Sequence, residues 1–76
     1  MQDLVEYMAK SVVDNPDDVS VDREVDDEDY VIYQLHVAPD DIGKVIGRRG
    51  RVAKAMRTLL KVASIKSHEH SVLEID

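Results

Sequence analysis

The chain of 76 residues contains no cysteine, no tryptophan and no phenylalanine. Without cysteine, neither a disulfide framework nor a thiolate metal site can hold so small a fold together, so we expect a reducing, cytoplasmic setting. No apolar run reaches the roughly 20 residues that cross a membrane, and the N-terminus lacks the basic and apolar segments of a secretory signal. We therefore expect one domain over residues 1–76, neither exported nor anchored, and too small for a deep catalytic pocket.

Acidic residues are missing from residues 44–66, although the chain as a whole has a formal net charge of −6. That segment holds eight bases, whereas residues 1–43 hold 13 acids and only two bases. A net negative charge by itself argues against nucleic acid, because phosphate is repelled at long range. The basic segment is either solvated surface that offsets the acidic half or a local surface for binding anions.

Hydrophobic periodicity in the first half of the chain predicts one helix and two strands. Apolar residues at three- and four-residue intervals indicate an amphipathic helix that ends at Asn15-Pro16. In the acidic stretch that follows, valines alternate with charged residues, which indicates a short, exposed edge strand. The segment Tyr30–Val37 is rich in β-branched and aromatic residues, and we expect it to be the central strand.

The second half of the chain predicts two helices separated by a tight turn, and then a closing strand at 72–75. A short helix begins at Pro39 and ends at Gly47. The next helix runs from Arg51 to about Ala63, with a predicted buried face of Val52, Ala55, Met56, Leu59 and Ala63. The fold class is therefore α+β, with a three-stranded sheet packed on three helices in the order α-β-β-α-α-β. Because the last two strands are joined through two helices, we expect them to be parallel, with a right-handed crossover.

Gly47 and Gly50 bracket Arg48 and Arg49 at the turn between these two helices. Glycine permits a positive φ and lets a ligand approach the backbone closely. The following helix points its unpaired N–H groups at the turn, where guanidinium groups can also contact phosphate oxygens. The turn is either a phosphate or nucleic-acid site or a plain corner with solvated arginines. Its spacing fits neither a Walker loop nor a dinucleotide fingerprint.

The segment Pro39–Lys54, PDDIGKVIGRRGRVAK, resembles the core of a KH domain, with the GxxG loop at Gly47–Gly50. The order of elements is similar to that of the bacterial type II form. The likeness spans essentially the whole chain and extends to the KhpA family of small bacterial single-KH-domain RNA-binding proteins. One departure is Ala53, where many KH domains carry a large aliphatic residue, and either Val52 or Met56 is expected to supply the missing bulk.

The resemblance implies that single-stranded RNA of about four nucleotides lies across a groove, with its backbone over the GxxG loop. The loop residues are Gly47, Arg48, Arg49 and Gly50. The expected apolar strip under the bases is Ile42, Val45, Ile46 and Val52, and the expected phosphate rim is Lys44, Arg51 and Lys54. No tyrosine lies in this segment, so we expect a modest affinity with loose sequence selectivity.

The family likeness also implies an RNA chaperone or post-transcriptional regulator, linked to the control of cell shape and cell-wall formation. It implies a homodimer, a larger KH-containing partner of the KhpB type, or both. The alternative function is a protein-interaction module whose KH surface or edge strands pair with another subunit. We expect no cofactor, metal, small-molecule substrate or enzymatic activity. His68 and His70 are two residues apart and are most simply read as solvated surface.

Overall fold

Helices and strands of the computed structural model, which describes all residues Met1–Asp76, follow the predicted order and confirm the α+β class. They are α1 (Gln2–Lys10), β1 (Ser20–Val25), β2 (Tyr30–His36), α2 (Ile42–Ile46), α3 (Arg51–Ser67) and β3 (His70–Ile75). Short 3₁₀ turns precede β1, α2 and α3, at Pro16–Asp18, Pro39–Asp41 and Arg48–Gly50. None of the helices combines the length and the apolar character needed to cross a membrane.

The sheet has the order β1-β2-β3, which confirms β2 as the central strand. β1 pairs antiparallel with β2, and β3 pairs parallel with it, so that Val21 and Leu73 oppose Leu35 and Tyr33 respectively. The parallel pairing requires a long crossover, which α2 and α3 supply. Alternate residues of β2, beginning at Val31, are buried under the helices, while those between them form the open face of the sheet.

One continuous hydrophobic core lies between the inner face of the sheet and the helices. Every helix and strand contributes to it, and its buried members are Val5, Ala9, Val19, Val21, Val31, Tyr33, Leu35, Val45, Met56, Leu60 and Leu73. Because α2 and α3 are both fixed in this core, the turn between them is held on a rigid base.

The predicted buried face of α3 is wrong by about one residue of rotation. The buried residues are Ala53, Met56, Leu60 and Ser64, so that only Met56 was placed correctly. Leu59 is 53% exposed. The sequence carries two neighbouring apolar stripes on this helix, and packing against the sheet buries only one of them. The helix also continues to Ser67, beyond the expected end near residue 63.

The first helix is shorter than its periodicity predicts. α1 ends at Lys10, and the chain passes through a turn rather than continuing to Asn15-Pro16. The β-branched residues Val12 and Val13 follow the last helical turn, and such residues lose side-chain freedom in a helix. The Ser11 hydroxyl donates a hydrogen bond to the carbonyl oxygen of Tyr7 at 2.8 Å, which closes that turn. Val12 is consequently left 38% exposed.

His36 ties together the same end of all three strands. Its Nε2 lies 3.0 Å from Oδ2 of Asp22 on β1, and its Nδ1 lies 3.0 Å from Oδ2 of Asp76, which follows β3. The hydrogen bonds to Asp22 and then Asp76 raise the pKa of His36 above its ordinary value of 6.5. The protonated imidazole can donate a hydrogen bond to both carboxylates at once, so these two ion pairs stabilise the sheet most when His36 is charged.

We expect His36→Gln to lower the midpoint of urea unfolding more at about pH 6 than at alkaline pH. A pH of about 6 lies near the ordinary pKa of histidine. Because the folded-state pKa is the higher one, the stabilisation is present below the unfolded pKa and is lost as pH rises through the folded pKa. Urea titrations followed by circular dichroism across this window measure it. His70→Gln is the control, because His70 is in no ion pair. An His36→Gln effect that is constant with pH contradicts the prediction.

Candidate nucleic-acid interface

The turn between α2 and α3 has positive φ angles at three of its four residues. The φ angles are +78° at Gly47, +59° at Arg49 and +72° at Gly50. The Gly47 N–H donates to the Gly43 carbonyl oxygen at 2.8 Å and ends α2, and the Gly50 N–H donates to the Gly47 carbonyl oxygen at 3.1 Å. Arg48 and Arg49 are exposed at the tip. The two glycines thus reverse the chain in four residues and present both guanidinium groups to solvent.

The two glycines are required for different reasons. At Gly47, a Cβ atom would lie 2.8 Å from the backbone nitrogen of Val52 and 2.5 Å from its Cγ2. The Gly47 conformation, with φ +78° and ψ 172°, also belongs to a region that only glycine normally occupies. Gly50 has φ +72° and ψ 16°, with open space where its Cβ would be. Glycine is therefore needed at position 47 so that the loop can pack closely on the first turn of α3. At position 50 it is needed only because the backbone is left-handed.

The first turn of α3 is open to an anion. Gly50 is the N-cap residue, no side chain caps the helix, and no acidic residue lies in its first turn. Its first N–H groups therefore have no side-chain acceptor, and the positive end of the helix dipole is uncompensated. Arg48 and Arg49 flank these donors in the chain. An anion above the loop would meet backbone N–H groups and guanidinium groups together.

Seven of the eight bases in residues 44–66 make no ion pair. These seven are Arg48, Arg49, Arg51, Lys54, Arg57, Lys61 and Lys66. Elsewhere the bases are neutralised locally, since Lys10 pairs with Glu6 at 2.7 Å and Arg23 with Glu69 at 3.5 Å. The acids of the chain therefore do not cancel the basic segment by direct contact, and its potential can act on a polyanion.

The residues of the predicted apolar strip do not share one environment. Ile46 is 40% exposed beside the loop, and Ile42 and Val52 are half-buried. Val45 is completely buried in the core, so the prediction that it faces a base is wrong. In this short helix Val45 is the residue buried in the core, and its role is to hold α2 in place. Met56 is also in the core, so the bulk beside the loop comes from Val52.

The predicted phosphate rim is divided in a similar way. Arg51 and Lys54 are exposed and unpaired at the start of α3. Lys44, in contrast, donates a hydrogen bond to the carboxylate of Asp14, and its Nζ lies 3.9 Å from Oδ1 of Asp41. Sequence reasoning missed both acids near this lysine. No local signal could have found Asp14, because 30 residues separate it from Lys44.

The chain has a GxxG loop between two helices, with β2 before these helices and β3 after them, and the two strands are parallel. An additional helix and strand, α1 and β1, come first. This arrangement defines a type II KH domain. The chain belongs to the KhpA/KhpB KH-domain family, whose sequence pattern matches residues 2–75. This confirms the resemblance seen in the sequence.

Individual relatives are similar over nearly their full length. The chain is 53% identical to the RNA-binding protein KhpA of Clostridium perfringens and 52% identical to that of Clostridium acetobutylicum. It is 48% identical to the RNA-binding protein KhpA of Caldanaerobacter subterraneus subsp. tengcongensis. Each alignment covers 75 residues, which is 99% of both chains. No solved structure matches the chain.

We expect Gly47→Asn to lower the free energy of unfolding by about 2–3 kcal/mol, and Gly50→Asn by less than about 1 kcal/mol. Asparagine tolerates the left-handed conformation of Gly50, but at Gly47 its Cβ meets the backbone of α3. Urea denaturation followed by circular dichroism compares the two variants, and each is the control for the other. Equal losses at both positions contradict the role assigned to Gly47.

Proposed function

We propose that the protein binds single-stranded RNA, with the phosphate backbone seated on the Gly47–Gly50 loop. The observation that carries this proposal is the pair of unpaired arginines, Arg48 and Arg49, at the open N-terminal end of α3. Backbone N–H groups and guanidinium groups converge there, with no acid in the first turn of the helix. Support also comes from the relatives that are named RNA-binding protein KhpA and share about half of their residues with this chain.

The remaining contacts extend from the loop along both helices. Arg51 and Lys54 supply further phosphate contacts, while Ile46, with Ile42 and Val52 behind it, offers apolar surface to the bases. The three tyrosines lie in α1 and β2, outside this surface. Without aromatic side chains, the site gains little affinity from base stacking. Most of the binding energy therefore comes from contacts with the RNA backbone, and selectivity for base sequence is low.

A weak site directed at the RNA backbone suits an RNA chaperone or post-transcriptional regulator in the cytoplasm. From the family likeness we also propose a link to the control of cell shape and the cell wall. The site offers donors and cations but no pair of groups suited to acid–base or nucleophilic chemistry. We therefore propose binding without catalysis, and without a cofactor or metal.

We expect Arg48→Asp combined with Arg49→Asp to abolish binding to a short unstructured RNA while leaving the circular dichroism spectrum unchanged. For wild type, neutralising two or three phosphates gives a slope of log affinity against log salt of about −1.4 to −2.1. Fluorescence anisotropy at several salt concentrations measures both quantities. The matched control is Lys61→Asp with Lys66→Asp, which changes the net charge equally at two exposed, unpaired bases in the second half of α3. An unchanged binding curve for the loop variant removes the loop from the mechanism.

A second proposed function is self-association through an apolar surface formed by α1 and α3. Leu59 and Val62 of α3 are 53% and 54% exposed, and Tyr7 of α1 is 72% exposed. An open groove of about 340 Å³ is lined by Tyr7, Val12, Val52, Ala55 and Leu59, and Val62 lies about one turn beyond Leu59 on α3. The outer apolar stripe of α3 comprises Val52, which is half-buried, and the exposed residues Ala55, Leu59 and Val62. It has the alternating three- and four-residue spacing of a helix-pairing seam.

This stripe explains why sequence periodicity assigned the wrong buried face to α3. Like core residues, Val52, Ala55 and Leu59 are apolar, but they are not among the buried residues that pack between α3 and the sheet. Pairing of two α3 helices in a homodimer would bury them and carry two GxxG loops on one particle, which raises the avidity for RNA. A larger KH-containing partner of the KhpB type is the alternative occupant of the same surface.

We expect Leu59→Glu to convert a dimer into a monomer, because the interface would then hold two like charges, one from each helix. Size-exclusion chromatography with light scattering measures the mass. Lys61→Glu is the control, since Lys61 is exposed on the same helix but is one or two residues from Leu59 and Val62 and therefore lies on another face. A wild-type protein that is monomeric under these conditions, or a dimer that survives Leu59→Glu, contradicts self-association through this surface.

A further inference from the structure

Lys44 is the one base of residues 44–66 that is ion-paired. Its ammonium group donates a hydrogen bond to Oδ2 of Asp14 and lies 3.9 Å from Oδ1 of Asp41. One cation therefore stands between two carboxylates, and the formal charge of this group of three side chains is negative. In the RNA-free protein, Lys44 adds no net positive charge to the surface beside the loop.

Asp14 is held in this position by its backbone. Its N–H donates to Oδ1 of Asp41 at 3.2 Å. The backbone N–H and the side-chain amide of Asn15 both donate to Oδ2 of Asp41 at 3.0 Å. Asp41 is only 1% exposed, whereas the side chain of Asp14 is 74% exposed. A buried carboxylate thus fixes the connection after α1 and places the exposed carboxylate of Asp14 at Lys44.

Lys44 also lies close to the phosphate site. It precedes Gly47 by three residues, on the last turn of α2, and residues at this spacing are neighbours on a helix surface. The Gly47 N–H donates to the carbonyl oxygen of Gly43, so this turn continues directly into the loop. A phosphate group that reaches Lys44 from the loop meets an ammonium group already bound to a carboxylate.

We propose that Asp14 is an intramolecular competitor of RNA phosphate at Lys44 and lowers the affinity of the GxxG loop for RNA. The inference rests on the proposed RNA-binding function and adds a residue that sets its strength. The pair is exposed to solvent, so it is weak enough for phosphate to displace it. When RNA binds, a phosphate replaces the carboxylate of Asp14 at Lys44. Because the Lys44–Asp14 ion pair is lost in this exchange, Lys44 contributes less to the affinity for RNA.

The test is a double-mutant cycle of Asp14→Asn and Lys44→Gln, with RNA affinity measured by fluorescence anisotropy on a short oligouridine. Asp17→Asn is the charge control, because Asp17 is exposed in the same connection and makes no ion pair. We expect Asp14→Asn to raise the affinity about two- to fivefold over the gain from Asp17→Asn. In the Lys44→Gln background this excess should vanish. The salt slope of Asp14→Asn should become more negative by about 0.7, because the cation released from the phosphate at Lys44 is then no longer offset by one taken up at a freed carboxylate.

The outcomes separate this inference from the function on which it rests. If wild type binds no RNA, or if the Arg48 and Arg49 charge reversals leave binding intact, the proposed loop function fails and the role of Asp14 fails with it. If wild type binds through the loop, equal gains with and without Lys44 overturn only the competitor role. A loss of affinity in Asp14→Asn also overturns it, since the pair would then support RNA binding. Urea denaturation of Asp14→Asn verifies that the fold is retained.

Discussion

The packing of α3 onto the inner face of the sheet is the contact on which the rest of the molecule depends. Met56 and Leu60 bury one stripe of the helix against the core that includes Tyr33 and Leu73. Once this stripe is fixed, the rotation of α3 is fixed as well. The rotation sets where the open helix end presents its N–H groups, and it leaves the stripe around Leu59 on the surface. The RNA-binding and self-association proposals therefore share one structural cause.

The distribution of charge shows how an acidic protein can present a site for a polyanion. All of its acids lie outside residues 44–66, and seven of the eight bases of that segment are not paired with them. Screening limits the reach of each charge to about 10 Å at moderate salt, so a local cluster acts on a nearby phosphate more strongly than the net charge does. Lys44 is the exception, because Asp14 reaches it across the fold.

Much of the fold and part of the site could be predicted from the sequence, because these features depend on neighbouring residues. The β-branched run 30–37 predicted the central strand, and two intervening helices predicted that β2 and β3 are parallel. Gly47 and Gly50 marked the loop because a tight reversal needs left-handed backbone. The local pattern could not distinguish two adjacent apolar stripes on α3, since both satisfy helical periodicity equally well.

Contiguous residues specify the order of elements, the position of the glycine loop and the concentration of bases around it, so these features could be read from the amino-acid sequence. Tertiary packing, in contrast, sets which residues near the loop are available to bind a ligand or a partner. It buried Val45 in the core, left Leu59 exposed and paired Lys44 with Asp14. These outcomes depend on which surfaces meet when the sheet and helices pack, and on contacts between residues 30 positions apart in the chain.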